Sequence, residues 1–474
     1  MNGEAPSLWP HQQEAIDFVE ALWAAGRPAA MLAMAMGTGK SRVAVELITR
    51  HHLYPALILA PKSVVPVWPE QFARYSDGSP LVLALGEGSI QKRAQTLSVA
   101  AQRPEPLVVV CNYDAAWQGG LRALLLGQRW GVVVADESHR LASAGGRQSM
   151  FARELAKRTE RRLALTGTPL SSGPLSLYGQ YRFLDTSVFG TSFVQFRARY
   201  AVMGGYGNHQ VLRYQNLDEL SERMYSIAYR AEAAVLDLLP PIDERLECEL
   251  EPAARKLYRE LETEFVAELE EGTITATNTL VKMLRLQQIS SGTLPDDNGV
   301  PRKVSTAKAG ALADALDALD KAEPVVVFVR FRADLDAVHE VARKQGRESL
   351  ELSGRVNELA RWQAGDAPVL AVQIQAGGTG IDLTRARYCI LFSLGFSLAQ
   401  YDQARARLHR PGQTRHVTYI HIVAKGTIDD LLYRALARKA NDVRSVLHPE
   451  LATGRDLLAD AVAAALTAFE MPEY

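Results

Sequence analysis

The chain has 474 residues, 47% of them apolar, with 53 Lys and Arg against 54 Asp and Glu. That length can bury two or three cores, and so even a charge balance excludes a protein that wraps polyanions over its whole surface. Three widely spaced cysteines (Cys111, Cys248 and Cys389) form no CxxC pair, which excludes a disulfide framework and a thiolate zinc site.

From the N-terminus, the chain shows no signal pattern and no apolar run of about 18 residues, so it is expected to be cytoplasmic, with no membrane partner. Short apolar runs predict strands at Met31–Ala35, Ala56–Ala60, Leu107–Cys111, Val132–Ala135 and Arg162–Thr166, with helical patterns between them. Near-continuous apolar strands separated by helices are the mark of a parallel sheet covered on both faces. Residues 1–185 are therefore expected to form one α/β lobe, and residues 186–300 a helical insertion and linker. Within the insertion Leu257, Leu261, Phe265 and Leu269 recur at fourfold spacing, as on an amphipathic helix packed on the first lobe or protruding toward a partner. The turn formers of Thr293–Gly299 mark a linker or hairpin. Strand–helix alternation resumes at Val325–Val329, Val369–Ile374, Tyr388–Phe392 and Val417–Val423, predicting a second parallel-sheet lobe over residues 301–445 and a helical tail over 446–474. Residues 301–450 hold five more basic than acidic residues, which suits a nucleic-acid track or a solvated surface equally.

The chemistry is carried by short motifs in a fixed order. Met36-Gly37-Thr38-Gly39-Lys40-Ser41 lies between a predicted strand and a predicted helix, where unpaired backbone N–H groups and the helix dipole favour phosphate. Gly37 and Gly39 let the backbone wrap an anion closely, Lys40 can reach the β- and γ-phosphates, and the Ser41 hydroxyl can ligate magnesium. The pattern GxxxxGK[ST] has its first glycine where this chain has Met34. After the strand Val132–Ala135 come Asp136 and Glu137, at the sheet edge where ligands bind. Asp136 suits magnesium, and Glu137 is placed to orient or deprotonate an attacking water. His139 either senses the γ-phosphate or caps a helix. Thr166-Gly167-Thr168-Pro169 follows the next strand as a coupling element.

More than 200 residues on come Gly377-Gly378-Thr379-Gly380-Ile381-Asp382-Leu383 and the run Gln403 to Gln413, which carries Arg407 and Arg410. Three apart on a helix, the two guanidinium groups would share one face and either reach the same phosphate or present a basic face to DNA. An arginine reaching a transferring phosphoryl group contributes roughly 10³–10⁵ in rate.

These motifs together resemble helicase superfamily two, and within it the Swi/Snf-type double-stranded-DNA translocases, in particular their small phage and bacterial members. The resemblance covers about residues 8–445. Leu8-Trp9-Pro10-His11-Gln12 resembles the group's adenine-recognition segment, which implies Gln12 as the base reader. Pro61 to Trp68 with Phe72 resembles its first DNA-contact motif, and Asn112-Tyr113 the next. The His-Arg-Pro-Gly-Gln ending resembles this group rather than the DEAD-type RNA helicases. Leu236 with Leu238 to Pro241, and Leu284 to Gln288, resemble its connecting segments. Two departures stand out: Met34-Ala35 replaces the usual acidic pair, and Gln375 stands where Arg is frequent.

The resemblance implies two RecA-like lobes that use ATP and Mg2+. Lys40, Asp136, Glu137, Arg407 and Arg410 would be catalytic. Gln12, Met36 to Ser41, Gly380 and Asp382 would bind ATP, with magnesium on Ser41 and Asp136. His139, Thr166, Thr168 and Gln403 would couple hydrolysis to movement. Pro61, Lys62, Ser63, Asn112, Tyr113, Arg330 and Gly377 to Thr379 would meet duplex DNA, with Thr379 and Phe331 each readable as contact or core. The function implied is an ATP-dependent double-stranded-DNA translocase, with a protein partner supplying target specificity. A strand-separating helicase, an RNA helicase and an ATP-gated clamp are the alternatives.

Overall fold

The computed structural model describes residues 7–78, 80–170, 173–204, 210–270, 276–296, 298–375, 381–395 and 397–447. The chain divides into two units and passes from one to the other between Asp237 and Leu238.

The first unit is built on strands β1 (Ala29–Met34), β2 (Ala56–Ala60), β3 (Leu81–Leu85), β4 (Leu107–Asn112), β5 (Trp130–Asp136), β6 (Thr159–Thr166) and β9 (Ala228–Ala231), with a hairpin of β7 (Ala201–Gly204) and β8 (Gln210–Tyr214) preceding β9. The sheet runs β3-β4-β2-β5-β6-β1-β9, every pair parallel. Successive residues of a strand point to opposite faces, so β1 feeds two cores. Met31 packs with Leu57, Val109 and Val133 on one face, under the helices Gly119–Gly127, Arg147–Ala156 and Leu177–Leu184. Leu32 packs with Ile58, Val110 and Val134 on the other, under the helices Pro10–Ala24 and Lys40–Arg50. Because all strands run one way, the loops after β1, β2, β4, β5 and β6 share the sheet's carboxyl edge, where such folds bind ligands.

The second unit holds β10 (Ile242–Cys248), the hairpin β11 (Thr293–Pro295) and β12 (Pro301–Lys303), β13 (Val325–Val329), β14 (Ser349–Leu352), β15 (Val369–Gln373), β16 (Tyr388–Leu391) and β17 (Thr418–Ala424). Its sheet runs β10-β17-β16-β13-β15-β14, again all parallel. Two parallel-sheet α/β lobes are thus present, and Thr293–Gly299 begins the hairpin that its turn formers suggested.

Two expectations change. The segment 186–300 contains β9 and β10, which close the edges of the first and second sheets, so its residues are shared between the units. The helix Pro252–Glu270 belongs to the second unit and does not pack on the first lobe: the buried Tyr258 hydroxyl accepts a hydrogen bond from the Ile428 amide at 2.6 Å. Of the tail, the helix Ile428–Leu447 is described, and residues 448–474 lie outside the described residues. Cys111 and Cys389 are buried free thiols, and burial pushes the Cys111 thiol up to about 12, as expected of inert cysteines. No described helix is long and apolar enough to cross a membrane.

Candidate nucleotide site

The loop after β1 turns into the Lys40–Arg50 helix through Gly37 and Gly39, at φ +82° and +86°. A side chain at Gly39 would be strained in that left-handed backbone, and its Cβ would fall 2.2 Å from Gln12 Nε2. Gln12 is held at both ends: its amide nitrogen donates to the Thr38 carbonyl at 3.0 Å and its oxygen accepts from the Trp9 amide at 3.0 Å. His11 Nε2 donates to the same Thr38 carbonyl at 2.8 Å. The Leu8–Gln12 segment therefore braces the phosphate loop, and the Gln12 amide expected to read a base is engaged in that brace. Thr38 ties the loop back on itself, its hydroxyl donating to the Ala35 carbonyl at 2.7 Å. Lys40 Nζ donates to the carbonyls of Met34 and Ala35 at 2.9 and 3.2 Å, which lays the ammonium along the loop.

Asp136 ends β5, and both its oxygens are occupied. Oδ2 accepts from the Trp68 indole at 3.1 Å and Oδ1 from the Glu137 amide at 3.0 Å. Burial pushes its carboxyl above the usual carboxylate range, the Glu137 carboxylate pushes it further, and Lys40 and the Trp68 hydrogen bond pull it back. Glu137 is itself buried and sits at φ +50°, ψ +54°. That backbone costs a non-glycine residue roughly 1–2 kcal/mol, and strain of this kind concentrates at functional sites. Glu137 Oε2 lies 3.4 Å from His139 Nδ1, in a short 3₁₀ turn, Ser138–Leu141. Among the described residues no cluster of three or more His, Cys, Asp or Glu could hold a metal alone. A carboxylate and a hydroxyl are the donor types that a magnesium ion takes when phosphates and waters fill its remaining positions, and Asp136 at the end of β5 and Ser41 at the start of the Lys40–Arg50 helix are donors of those types.

The coupling element touches the phosphate loop directly. A Cβ on Gly167 would stand 3.3 Å from Met36 Cγ and 3.4 Å from the Met34 carbonyl. Thr166 Oγ1 accepts from the Thr168 amide at 3.0 Å, while Thr168 Oγ1 is buried with no hydrogen-bond partner among the described residues. Sequence reasoning missed the residue that joins this element to the carboxylates. Gln180, fully buried on the Leu177–Leu184 helix, accepts from Ser138 Oγ at 2.8 Å and donates to the Pro169 carbonyl at 2.7 Å. Gly179 permits the approach, since a Cβ there would sit 1.9 Å from the Leu141 carbonyl oxygen. The only sequence signal was a Gly-Gln pair interrupting an apolar helix.

The expected DNA contacts separate into two groups. Lys62 and Ser63 are exposed after β2, next to Pro61. Asn112 and Tyr113 are buried and committed internally: Asn112 Oδ1 accepts from Arg93 at 2.8 Å, and the Tyr113 hydroxyl donates to the Asp136 carbonyl at 2.8 Å. Tyr113 thus braces the carboxylate strand, whereas Asn112 joins Arg93, which also donates to the carbonyls of Gly86, Glu87 and Gly88. Arg330 is largely buried too, donating to Gln287 Oε1, while its amide donates to Ser393 Oγ at 2.8 Å. Gly377 to Gly380 lie outside the described residues.

In the second unit the helix bearing Gln403 runs from Leu398 to Arg405 and stops, so Arg407 and Arg410 lie in the turns beyond it and not on one helix face. The turns break the helical spacing on which that expectation rested. Arg407 is buried, and its carbonyl accepts from the Leu383 amide at 3.1 Å. Arg410 Nη1 donates to the Ile381 carbonyl at 3.2 Å, and its Nε is buried with no partner among the described residues. Asp382 caps a turn, accepting from the Thr384 amide and hydroxyl at 2.9 and 2.7 Å. Gln413 closes the group, donating to the carbonyls of Thr384 and Ala386 at 3.1 and 2.9 Å. The two motifs of this unit thus form one structure.

Residues 11–293 match the SNF2-related domain, and residues 307–412 match the Helicase conserved C-terminal domain. The chain belongs to the SNF2-related family. It is an SNF2-type helicase-family ATPase, as the motif order implied. A putative protein of Acyrthosiphon pisum secondary endosymbiont phage 1 is 28% identical over 84% of this chain and 90% of its own. An uncharacterized ATP-dependent helicase of Mycoplasma genitalium is 26% identical over 95% of this chain and 44% of its own. The Mus musculus DNA annealing helicase and endonuclease ZRANB3 is 27% identical over 93% of this chain and 41% of its own. The chain therefore spans less than half of those two helicases. The Sulfolobus solfataricus SWI2/SNF2 ATPase core in complex with dsDNA is 20% identical, with 94% of this chain and 95% of that one covered and a TM-score of 0.44.

Proposed function

We propose that this SNF2-type chain is a motor that hydrolyses ATP to move along double-stranded DNA. The observation that carries the reading is the buried Asp136–Glu137 pair within electrostatic reach of Lys40, at the N-terminus of the Lys40–Arg50 helix. Two adjacent buried carboxylates beside an ammonium are costly unless charge of both signs is meant to be handled there. A magnesium ion held by Asp136 and Ser41 would neutralise phosphate charge when bound. Lys40, now resting on loop carbonyls, exchanges them for phosphate oxygens. Glu137 orients the attacking water and takes its proton. Arg407 and Arg410 supply positive charge to the transferring phosphoryl group, which makes turnover depend on the second unit.

Duplex DNA as the track is supported by the family and by the exposed Lys62 and Ser63 after β2. Contacts to phosphates position without reading sequence, so target choice falls to a protein partner. The test is the ATPase rate at one fixed low salt, with no nucleic acid, duplex DNA, single-stranded DNA or RNA. Stimulation by duplex DNA above the others is expected. Preference for single strands or RNA would refute the duplex reading.

A further inference from the structure

We infer that Leu239–Asp243, one residue into the second unit, form a strap that positions the arginine motif, with Asp243 as its anchoring positioning residue. The inference rests on the hydrolysis reading above. Three strap residues hold four side chains of the arginine motif, the turn after it and the following strand. His409, the neighbour of Arg410, donates from Nε2 to the Leu239 carbonyl at 2.8 Å. His416 Nδ1 donates to the Pro240 carbonyl at 2.9 Å. Asp243 takes both Nη1 and Nη2 of Arg405 on its two oxygens, and His421 Nε2 on Oδ1 at 2.9 Å. A guanidinium–carboxylate fork fixes orientation as well as distance.

Arg405 is the last residue of its helix, and it is locked from the other side as well. Its guanidinium stacks on the Tyr419 ring, 4.1 Å from the centroid, and donates to the Tyr401 hydroxyl at 2.7 Å. The Tyr419 hydroxyl donates to the Arg405 carbonyl at 2.7 Å, at the point where the chain leaves the helix for Arg407. Burial opposes ionisation of Asp243, but the hydrogen bonds from His421 and Arg405 overcome it and hold the carboxyl well below the usual carboxylate range.

The strap is fixed at its far end by β10, paired residue for residue with β17 from Ile242↔Thr418 to Cys248↔Ala424. Period-two alternation sends Leu246 and Cys248 toward the unit's core and leaves Asp243 on the opposite face, with Arg245 and Glu247. At its near end the chain crosses from the first unit, between Asp237 and Leu238. A displacement of the backbone at that crossing reaches Arg410 through one residue, His409. The strap therefore ties arginine placement to the connection between the units.

The test uses the full chain with saturating duplex DNA. Asp243→Asn is expected to lower kcat at least about tenfold, with KM for ATP and melting temperature nearly unchanged, because an arginine used only in turnover is misplaced. Arg245→Gln on the same strand is the control, with kcat expected within about twofold of wild type. In an Arg410→Lys background, Asp243→Asn should add less than about twofold, because residues acting as one unit are not additive. Arg405→Lys keeps the charge and loses the fork, and it should reproduce the loss if Asp243→Asn folds poorly. Wild-type kcat in Asp243→Asn or in Arg405→Lys, full multiplicative losses in the Arg410→Lys background, or losses that merely follow melting would each overturn the strap. A wild-type chain without stimulated turnover would overturn the hydrolysis reading itself, and the strap with it.

Discussion

The phosphate loop and the arginine motif, which in the proposed mechanism serve one substrate, are held in different ways. The loop is braced from within the first unit, with His11 and Gln12 on the Thr38 carbonyl from 27 and 26 residues back and Thr38 on Ala35. The arginine turns are braced by Ile381 and Leu383 from similar separations and, in addition, by Leu239, Pro240 and Asp243 from more than 160 residues back. A motif tied to the crossing between units can change its position with that crossing, which is what a conformationally gated catalytic arginine requires.

The sharpest way to break this contrast is to remove each side's charge in turn. Arg410→Ala should lower duplex-stimulated kcat by about 10³-fold with little loss of ATP affinity. Weakened binding with turnover per bound ATP intact would make Arg410 a binding contact and dissolve the difference. Glu137→Gln should cost about 10²-fold or more in kcat while ATP still binds. An unchanged rate in the Glu137 variant would move the base elsewhere.

What could be read from the sequence follows the same division. The strands named in advance, from Met31–Ala35 to Val417–Val423, are all interior to the two sheets, where both faces are buried and the run is continuously apolar. The strands of these two sheets that were missed, β3, β9, β10 and β14, are their four edges, and the hairpin β7–β8 was missed as well. Ile-Asp-Glu-Arg-Leu-Glu-Cys in β10 shows why, since an edge strand with one solvated face carries charges that hide its pairing. Within the site, Gly37, Gly39, Lys40, Asp136 and Glu137 stand out because loop geometry and charge are local properties. Gln180 and Asp243 do not, because their partners are dozens to more than a hundred residues away. Gln12, Asn112, Tyr113 and Arg330 stand out in the sequence, and in the structure each makes internal hydrogen bonds.

Two smaller effects sharpen the account of the first unit. Gly179→Ala drives a methyl toward the Leu141 carbonyl and should cost about 1–3 kcal/mol in chemical denaturation, as overpacking does. It should also lower DNA stimulation by separating Gln180 from Ser138, and a fully stable, fully coupled variant would remove Gln180 from the coupling path. Trp68→Phe deletes one hydrogen bond to the Asp136 carboxylate, worth about 1.5–3 kcal/mol for a charged acceptor. The apparent magnesium affinity of the ATPase should then fall by about tenfold. A magnesium titration superimposable on wild type would show that Trp68 only fills space.

The most direct measurement is displacement of a triplex-forming strand from an intact duplex, with ATP, with no nucleotide, and with the Glu137→Gln variant. The account predicts ATP-dependent release by the wild-type chain alone, with the duplex strands still paired afterward. Turnover of ATP without release, or release accompanied by separated duplex strands, would contradict it.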